Sequence, residues 1–599
     1  MRRLPLTLVS GAAALLVGLV ACGIPEQTDV QIDGRGPVAD TVPAGGTRQP
    51  PPGRTASGSD ERAFVRNFLT AAAGEASEAY KRVNEYIVAD RQFNVAPADE
   101  LAINIVRAEE PEIALNKDGT YSVTLAGVEQ VGVLRANGSV EEPVATGSSY
   151  TFTVGPAPTD PGSDAGLYVL DPPPVVLMTT DALLGYYEET TVYFWNTART
   201  ALVPDLRYLP MTVPVERRAT EVLGWLIGGP ADWLAPTVLR LPDGTGMPGN
   251  VPAPKDGGRL EVNLSVKAGA LDSERDLSQL FTQIAWSLQQ NILLRDELEL
   301  KIQNQIRKTE SVTDYRRANP VYRLSAPERF AVLGGGIYPL VDSAGQPPPV
   351  AAAANRDIVS AGLNRREAEI SAALVVRDGD HLRLRVGAGH TTVSQFQTGQ
   401  PVSSMGRPVW LKGPDPGEPT GLVVSGNELY RFTADNPRLE RIRGVPARVS
   451  SVGAALDGQR IAFIAGGRLH VATVRTDGGG MSVGPVRQLA TSLTGLTQVD
   501  WLGENMLAVA GTNAMGRAAI VRLGVDGVRE SPEVSDIGAP VTHLAAYPNN
   551  PVSQAPLRNP LYEANQVAYA AGASISRDQV SPGSGTLPAG SPVAPFFLY

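Results

Sequence analysis

The spacing of apolar residues changes several times along the chain, and the changes divide it. Residues 4–21 are an almost unbroken apolar run behind Arg2 and Arg3. From Gly23 to about Ser59 no apolar period is present, and Gly, Pro, Thr and polar residues dominate, including Gln49-Pro50-Pro51-Pro52-Gly53. That composition predicts a tether over 22–59, semi-rigid at its prolines and flexible elsewhere. A helical period starts near Asp60: Phe64, Val65, Phe68, Leu69 and Ala72 share one face, and Tyr80, Val83 and Ile87 continue it after a break at Gly74. Strand-like runs follow at 112–115, 121–128, 130–134, 150–154 and 175–178, with turns at Asn116-Lys117-Asp118-Gly119 and Ala136-Asn137-Gly138. Helices first and antiparallel strands afterwards predict an α+β domain over 60–189, a curved sheet with helices across one face.

Helical and strand periods then alternate. Thr191-Val192-Tyr193-Phe194-Trp195 reads as an opening strand. A helix begins behind Pro214, with Val215, Ala219, Val222, Leu223 and Leu226 on one face, and stops at Gly228-Gly229-Pro230. A strand over 259–265 precedes a second helix, which has a capping pair at Ser273 and Asp276 and an apolar stripe at Leu277, Leu280, Phe281, Ile284 and Leu288. The closing strand is 297–302, and the pattern predicts a compact α/β sandwich over 190–325.

From 326 to 599 the helical period disappears. Apolar runs at 372–376 and 382–386 flank Asp378-Gly379-Asp380, and runs at 421–424 and 429–432 flank Ser425-Gly426-Asn427. Runs at 460–464 and 469–474 flank Gly466-Gly467, 506–509 leads to 518–523, and 567–569 starts the last. Hairpins recurring at about forty to sixty residues predict a β-propeller of five or six blades. A pair of β-sandwiches is the alternative, disfavoured by the regular spacing. The runs 408–411, 452–456 and 499–502 are placed as innermost strands, and 330–333 with 337–341 as a partial blade that closes the ring against the C-terminus.

Composition narrows the function. The formal charge of -10, from 62 acids and 52 bases, argues against a nucleic-acid binder, which needs a basic face for phosphates. Cys22 is the only cysteine, so no disulfide staples these domains and each must hold by core packing. The four histidines, His381, His390, His470 and His543, have no ligand-like partner close in sequence, and no cofactor or metal site is expected.

The first segment has the layout of a secretory signal peptide. Leu19-Val20-Ala21-Cys22 closes its apolar run and resembles the bacterial lipobox. The resemblance implies cleavage before Cys22 and a diacylglyceryl thioether on that residue, holding the mature chain on the outer face of the cytoplasmic membrane. A spanning helix is the competing reading, weakened by Pro5, Ser10, Gly11 and Gly18. An ordinary buried cysteine fails on context, because Gly23-Ile24-Pro25 and the tether follow.

Tyr193-Phe194, Gly228-Gly229-Pro230, Leu241-Pro242-Asp243-Gly244-Thr245, Val262-Asn263-Leu264-Ser265 and Gln283-Ile284-Ala285-Trp286-Ser287-Leu288 resemble, in order and spacing, the GerMN domain of bacterial spore-germination and envelope lipoproteins. That family implies an extracytoplasmic interaction module and brings no catalytic residues. With the lipobox, the α+β segment and the propeller, the whole order resembles the LpqB lipoproteins of actinobacteria. The family implies a partner, the extracytoplasmic sensor region of the MtrB histidine kinase in the MtrA–MtrB two-component system, with effects on envelope maintenance and division.

Catalysis is not expected. Gly480-Met481-Ser482-Val483-Gly484 satisfies the G-x-S-x-G elbow, but Gly478-Gly479 precedes it and Pro485 follows, without the strand and helix the elbow requires. Asp378, Asp380 and Asp457 sit in turns beside glycine, where such side chains cap backbone amides. Asp500 and Glu504 have no assigned role, which leaves a glycan-binding or glycan-cleaving propeller as the alternative function. The pairs Arg316-Arg317 and Arg365-Arg366 read as solvated faces, and Gly334-Gly335-Gly336 as a turn with no phosphate cradle.

Overall fold

The computed structural model describes residues 49–599 apart from short internal stretches, the longest at 157–165. The signal segment, Cys22 and most of the expected tether lie outside the described residues. The tether's last residues are packed. Pro51 and Arg54 are buried, Arg54–Ser57 is a 3-10 turn, and the Pro52 carbonyl accepts from the Tyr86 hydroxyl at 2.6 Å. Composition gave no sign of this, because the docking surface, Tyr86 and a Tyr168 ring 4.0 Å from the Arg54 guanidinium, lies elsewhere in the chain.

The helical face read at Phe64, Val65, Phe68 and Leu69 belongs to the helix Glu61–Thr70, and Val83 to the helix Ala76–Glu85. Asp60 caps the first helix by accepting from the N–H groups of Arg62 and Ala63. Both pack on two four-stranded sheets, where a single curved sheet was expected. Two strands had no sequence signal. Ile103–Arg107 is buried on both faces but carries the buried polar Asn104, which breaks the apolar run such a strand would show, and it lies between Glu129–Leu134 and, in parallel, Leu177–Thr179. Leu167–Asp171 pairs with Tyr150–Pro156.

The middle domain forms largely as its periodicity predicts, except that Val215, in the first turn of its helix, is exposed. The helices Val215–Gly228 and Glu274–Ser287 bury Ala219, Val222, Leu223, Leu226, Leu277, Leu280, Phe281 and Ile284 in one core. Gly229, at φ +101°, ends the first helix, and the Ser273 hydroxyl caps the second by accepting from the Asp276 N–H. Arg259–Leu264 pairs in parallel with Glu297–Ile302, and Gln305–Ser311 adds an antiparallel edge. The opening strand, Tyr187–Trp195, pairs with Leu202–Pro210.

Among the described residues the propeller has six blades. Blade one begins with the inner strand Ile358–Arg366, blade two with Val409–Trp410, blade three with Val449–Ala454, blade four with Thr494–Gly503 and blade five with Val541–Ala545; each has four antiparallel strands, and those of blade one continue into blade six as one seven-stranded sheet through a parallel pairing of Leu363 with Leu598. Blade six is composite. The strand Val593–Leu598 pairs antiparallel with Glu328–Leu333, which pairs with Gly336–Pro339 through a turn at Gly334 and Gly335. Both ends of the domain thus share one sheet and close the ring, leaving fewer open edges. A repeated bond locks neighbouring inner strands. Trp410 Nε1 donates to the Gly362 carbonyl at 3.0 Å and Trp501 Nε1 to the Gly453 carbonyl at 3.2 Å, each across 48 residues.

Candidate functional site

Two places gather polar groups: the seam between the middle domain and blade four, and the propeller axis. The seam is built by a single strand. In Tyr187–Trp195 side chains alternate, so Val192 and Phe194 enter the middle domain's core while Glu189, Thr191 and Tyr193 turn to the propeller. Tyr193 donates its hydroxyl to Glu504, Thr191 Oγ1 accepts from Asn505 Nδ2 at 3.0 Å, and Glu189 Oε1 accepts from Arg529 Nε at 2.6 Å.

Arg460 braces the same turn from blade three. Its Nη2 donates to the Glu504 carbonyl at 2.6 Å, its Nη1 to Asn505 Oδ1 at 3.2 Å and its Nε to Asp457 Oδ2 at 2.7 Å, and its guanidinium lies 4.9 Å from the Trp501 ring centre. Burial pushes the Glu504 carboxyl up to about 7, against the opposing pull of Tyr193 and Arg460. Behind Tyr193 stands Trp286, edge-on at 5.8 Å, with the Arg316 guanidinium 4.8 Å from its ring. The N-terminal domain joins at the neighbouring turn, where Arg107 Nη2 donates to the Gly527 carbonyl at 3.0 Å and Val528 enters that domain's core. Three domains therefore meet on one end of blade four.

On the axis a small cavity, with room for about one water, is lined by Arg407, Trp410, Lys412, Asp500, Phe597 and Tyr599 among others. Asp500 Oδ2 accepts from Arg407 Nη2 and from the Ala546 N–H, both at 2.9 Å. The Lys412 ammonium lies 2.9 Å from the Tyr599 ring centre, and burial lowers it to about 7, with Asp500 opposing and Arg407 adding to the drop. His543 is buried nearby; burial and then the Arg407 charge bring it down to about 3, so its ring is neutral.

The structure separates the residues singled out in the sequence. Asp500 faces the axis and Glu504 the seam, and each is held in its own set of contacts. Asp457 accepts from the Gln459 and Arg460 N–H groups, the turn role expected, and carries the Arg460 ion pair in addition. Asp378 pairs with Arg383 at the blade-one turn. Ser482 lies inside the strand Gly480–Leu489 and pairs with Arg475, so no nucleophile elbow exists there. Arg317 is exposed beside Asp314, as a solvated face should be. Arg316 is not, because Trp286 covers it, and Arg365 pairs with Glu328. Among the described residues no group of three His, Cys, Asp or Glu could hold a metal, and no helix is long and apolar enough to cross a membrane.

Sequence reasoning passed over Arg407, Lys412 and Arg460. Isolated cations in strand-rich sequence carry no local signal. One trace exists: Pro408-Val409-Trp410-Leu411 and Val499-Asp500-Trp501-Leu502 repeat a Trp-Leu at equivalent inner-strand positions, each Trp donating to a glycine carbonyl of the preceding blade.

Residues 335–556 match the family described as "Lipoprotein LpqB beta-propeller domain", and residues 191–300 the one described as "Sporulation and spore germination". Lipoprotein LpqB of Thermobifida fusca is 25% identical over 445 residues, covering 63% of this chain and 68% of the relative. Lipoprotein LpqB of Streptomyces coelicolor is 25% identical over 594 residues, covering 89% and 90%, and that of Nocardia farcinica 24% over 589, covering 90% and 91%. Among solved structures, TolB from Acinetobacter baumannii aligns with 52% of this chain and 85% of its own at 12% identity and a TM-score of 0.31.

Proposed function

Because the chain belongs to the LpqB lipoprotein family, we propose that it acts as a non-enzymatic adaptor, anchored through acylated Cys22 on the extracytoplasmic face of the cell membrane. There it binds the sensor region of an MtrB-like histidine kinase and modulates two-component signalling in envelope maintenance and cell division. The observation that carries the adaptor class over the glycan-cleaving class is the fate of the acids. Asp457 and Asp500 are held in ion pairs with arginines, and Glu504 is covered by Tyr193. Retaining and inverting glycosidases need two carboxyls roughly 5 to 10 Å apart facing one open cleft. Carboxylates committed to structure in separate places do not supply that arrangement.

The seam supports the adaptor reading in a second way. It joins the middle domain to the propeller through buried polar contacts, so a partner touching one surface meets a body braced by the other. The test is co-sedimentation of a purified kinase ectodomain with vesicles carrying the full-length chain. Saturable association in the micromolar range is expected. No association at about 100 μM removes the partner claim, and release of sugar from purified cell wall, abolished by Asp500→Asn, replaces it with the glycan-cleaving alternative.

A further inference from the structure

We infer that the free edge of the strand Gln305–Ser311, in the middle domain, is a docking surface for a second copy of this chain, which adds its own Gln305–Ser311 antiparallel and joins the two sheets. The strand has seven residues and lies at the border of its sheet, and among the described residues no backbone bond reaches its outer side. Five of the seven are exposed, Ile306 at 62%. Such an edge is a template for pairing with another chain, and proteins blunt it with proline, with shortness or with cover. The blades and the N-terminal domain do so. Pro339, Pro437, Pro485 and Pro532 lie in four of the blades' outermost strands, and the other two, Gln397–Thr398 and Ala573–Ser574, are two residues long. The border strands of the N-terminal domain's sheets have two to five residues. The opposite border of the middle domain's own sheet, Arg259–Leu264, has only Arg259 exposed. Gln305–Ser311 is long, open and free of proline.

Charge names the occupant. Lys308–Ser311 pairs regularly with Glu297–Leu300, and the bulge beside Lys301 is confined to the turn end, so an added strand meets a regular edge. Two copies related by a two-fold axis set one residue of each opposite its own mate. Centred on Arg307, Lys308 or Glu310, that symmetry puts like charges face to face. Centred on Thr309, it puts hydroxyl beside hydroxyl, and Lys308 of each copy falls opposite Glu310 of the other. Both charged groups are available for the pairing. Lys308 is held over the Phe281 and Tyr315 rings, 5.3 and 5.1 Å from their centres, and its ammonium stands 3.9 Å from Glu310 of its own strand, beyond hydrogen-bond reach. The like-charge contacts of the neighbouring registers turn away a misplaced copy, so the charges make this edge selective without closing it. About five facing residues per copy form a small interface, and the pairing is weak and reversible.

Covalent trapping accumulates a dimer too weak to persist. Thr309→Cys in the full-length chain, kept in detergent and gently oxidised, is expected to give a disulfide-linked dimer above the background of the parent, whose only cysteine is Cys22. Ile306→Cys is the position control: in this register its two copies stand about 20 Å apart, six residues at about 3.4 Å each, and it stays at background. Glu310→Lys, at an exposed position, lowers the Thr309→Cys dimer at least about fivefold, and adding Lys308→Glu restores it to within about twofold, because the pair re-forms with its signs exchanged. A thermal melt unchanged by Glu310→Lys assigns the loss to pairing. Background cross-linking of Thr309→Cys, equal cross-linking of Ile306→Cys, or a dimer that Glu310→Lys leaves unchanged overturns the proposal. Cross-linking of Thr309→Cys to a purified kinase ectodomain in place of its own copy overturns it as well and gives the edge to that partner. Self-pairing needs neither the kinase nor the acyl anchor, so its failure leaves both standing.

Discussion

The phenolic hydroxyl of Tyr193 reaches both carboxylate oxygens of Glu504, at 3.0 and 2.8 Å, across 311 residues of chain. It is the central polar contact of the seam, and Tyr193 itself is 0% exposed. Tyr193→Phe keeps the ring against Trp286 and removes only the donor. A loss of about 1–3 kcal/mol is expected, the cost of leaving a covered carboxylate short of a partner. Chemical denaturation measures it. A double-mutant cycle with Glu504→Gln should return a coupling of about 0.5 kcal/mol or more, since the two side chains touch.

Two buried groups titrate in opposite senses over a shared pH range. Burial raises Glu504 from its ordinary 4.5 to about 7, so the folded state binds the extra proton between those values and stability falls as pH rises through them. Burial depresses His543 from 6.5 to about 3, so the unfolded state binds the extra proton and stability rises with pH between about 3 and 6.5. The slopes oppose each other where the windows overlap, and the parent should show a nearly flat profile there. Glu504→Gln is expected to unmask a rise and His543→Gln a fall, each on the order of 2 kcal/mol, in melts taken from pH 4.5 to 6.5. Identical profiles in parent and both variants would contradict the burial of these groups.

Arg460→Met strips the ion pair from Asp457, whose side chain is 0% exposed, together with the Nη2 bond to the Glu504 carbonyl. A loss of about 3–5 kcal/mol is expected, the cost of an uncompensated buried charge. Adding Asp457→Asn should recover part of it, because the amide oxygen still accepts from the Gln459 and Arg460 N–H groups without carrying charge.

Gly362, on the inner strand of blade one, faces Pro408 beside the inner strand of blade two. A Cβ there would run into the Pro408 carbonyl oxygen, a backbone atom that cannot swing aside, and the Gly362 carbonyl holds Trp410 Nε1. Gly362→Ala is expected to cost about 2 kcal/mol or more. Gly224, in the helix Val215–Gly228, has nothing within 4 Å of such a Cβ, and Gly224→Ala should instead stabilise by about 0.5–1 kcal/mol. Thermal melts of the two variants should shift in opposite directions.

Cys22→Ser is expected to move the chain from the membrane to the aqueous fraction and to abolish fatty-acid labelling, because the sulfur is the acceptor in the lipobox reading. Two or three acyl chains at about 0.8 kcal/mol per buried methylene hold a protein firmly, and the substitution removes the thioether-linked pair. Fractionation with the label measures both.

Much of the fold was written locally. The faces of Phe64, Phe68, Leu277 and Phe281, the caps at Ser273 and Gly229, and the hairpins around Gly379, Gly426 and Gly466 each follow from the spacing of side chains along a helix or strand, and the structure has them in those places. Ile103–Arg107 escaped because its buried Asn104 breaks the apolar run that a strand covered on both faces would show, and the docked end of the expected tether because its contacts lie on distant tyrosines.

Local periodicity records only whether a side chain is covered, and not by what. In the strand Tyr187–Trp195 the sequence determined that it is a strand; that Glu189, Thr191 and Tyr193 face blade four was decided when ring closure brought Glu504, Asn505 and Arg529 alongside. The same closure separated Asp500 from Glu504, four positions apart in one segment, sending one carboxylate to the axis and the other to the seam. It also set Arg107 against Gly527 across 420 residues. Such pairings depend on how the blades of the ring and two further domains fit together, which no window of neighbouring residues contains.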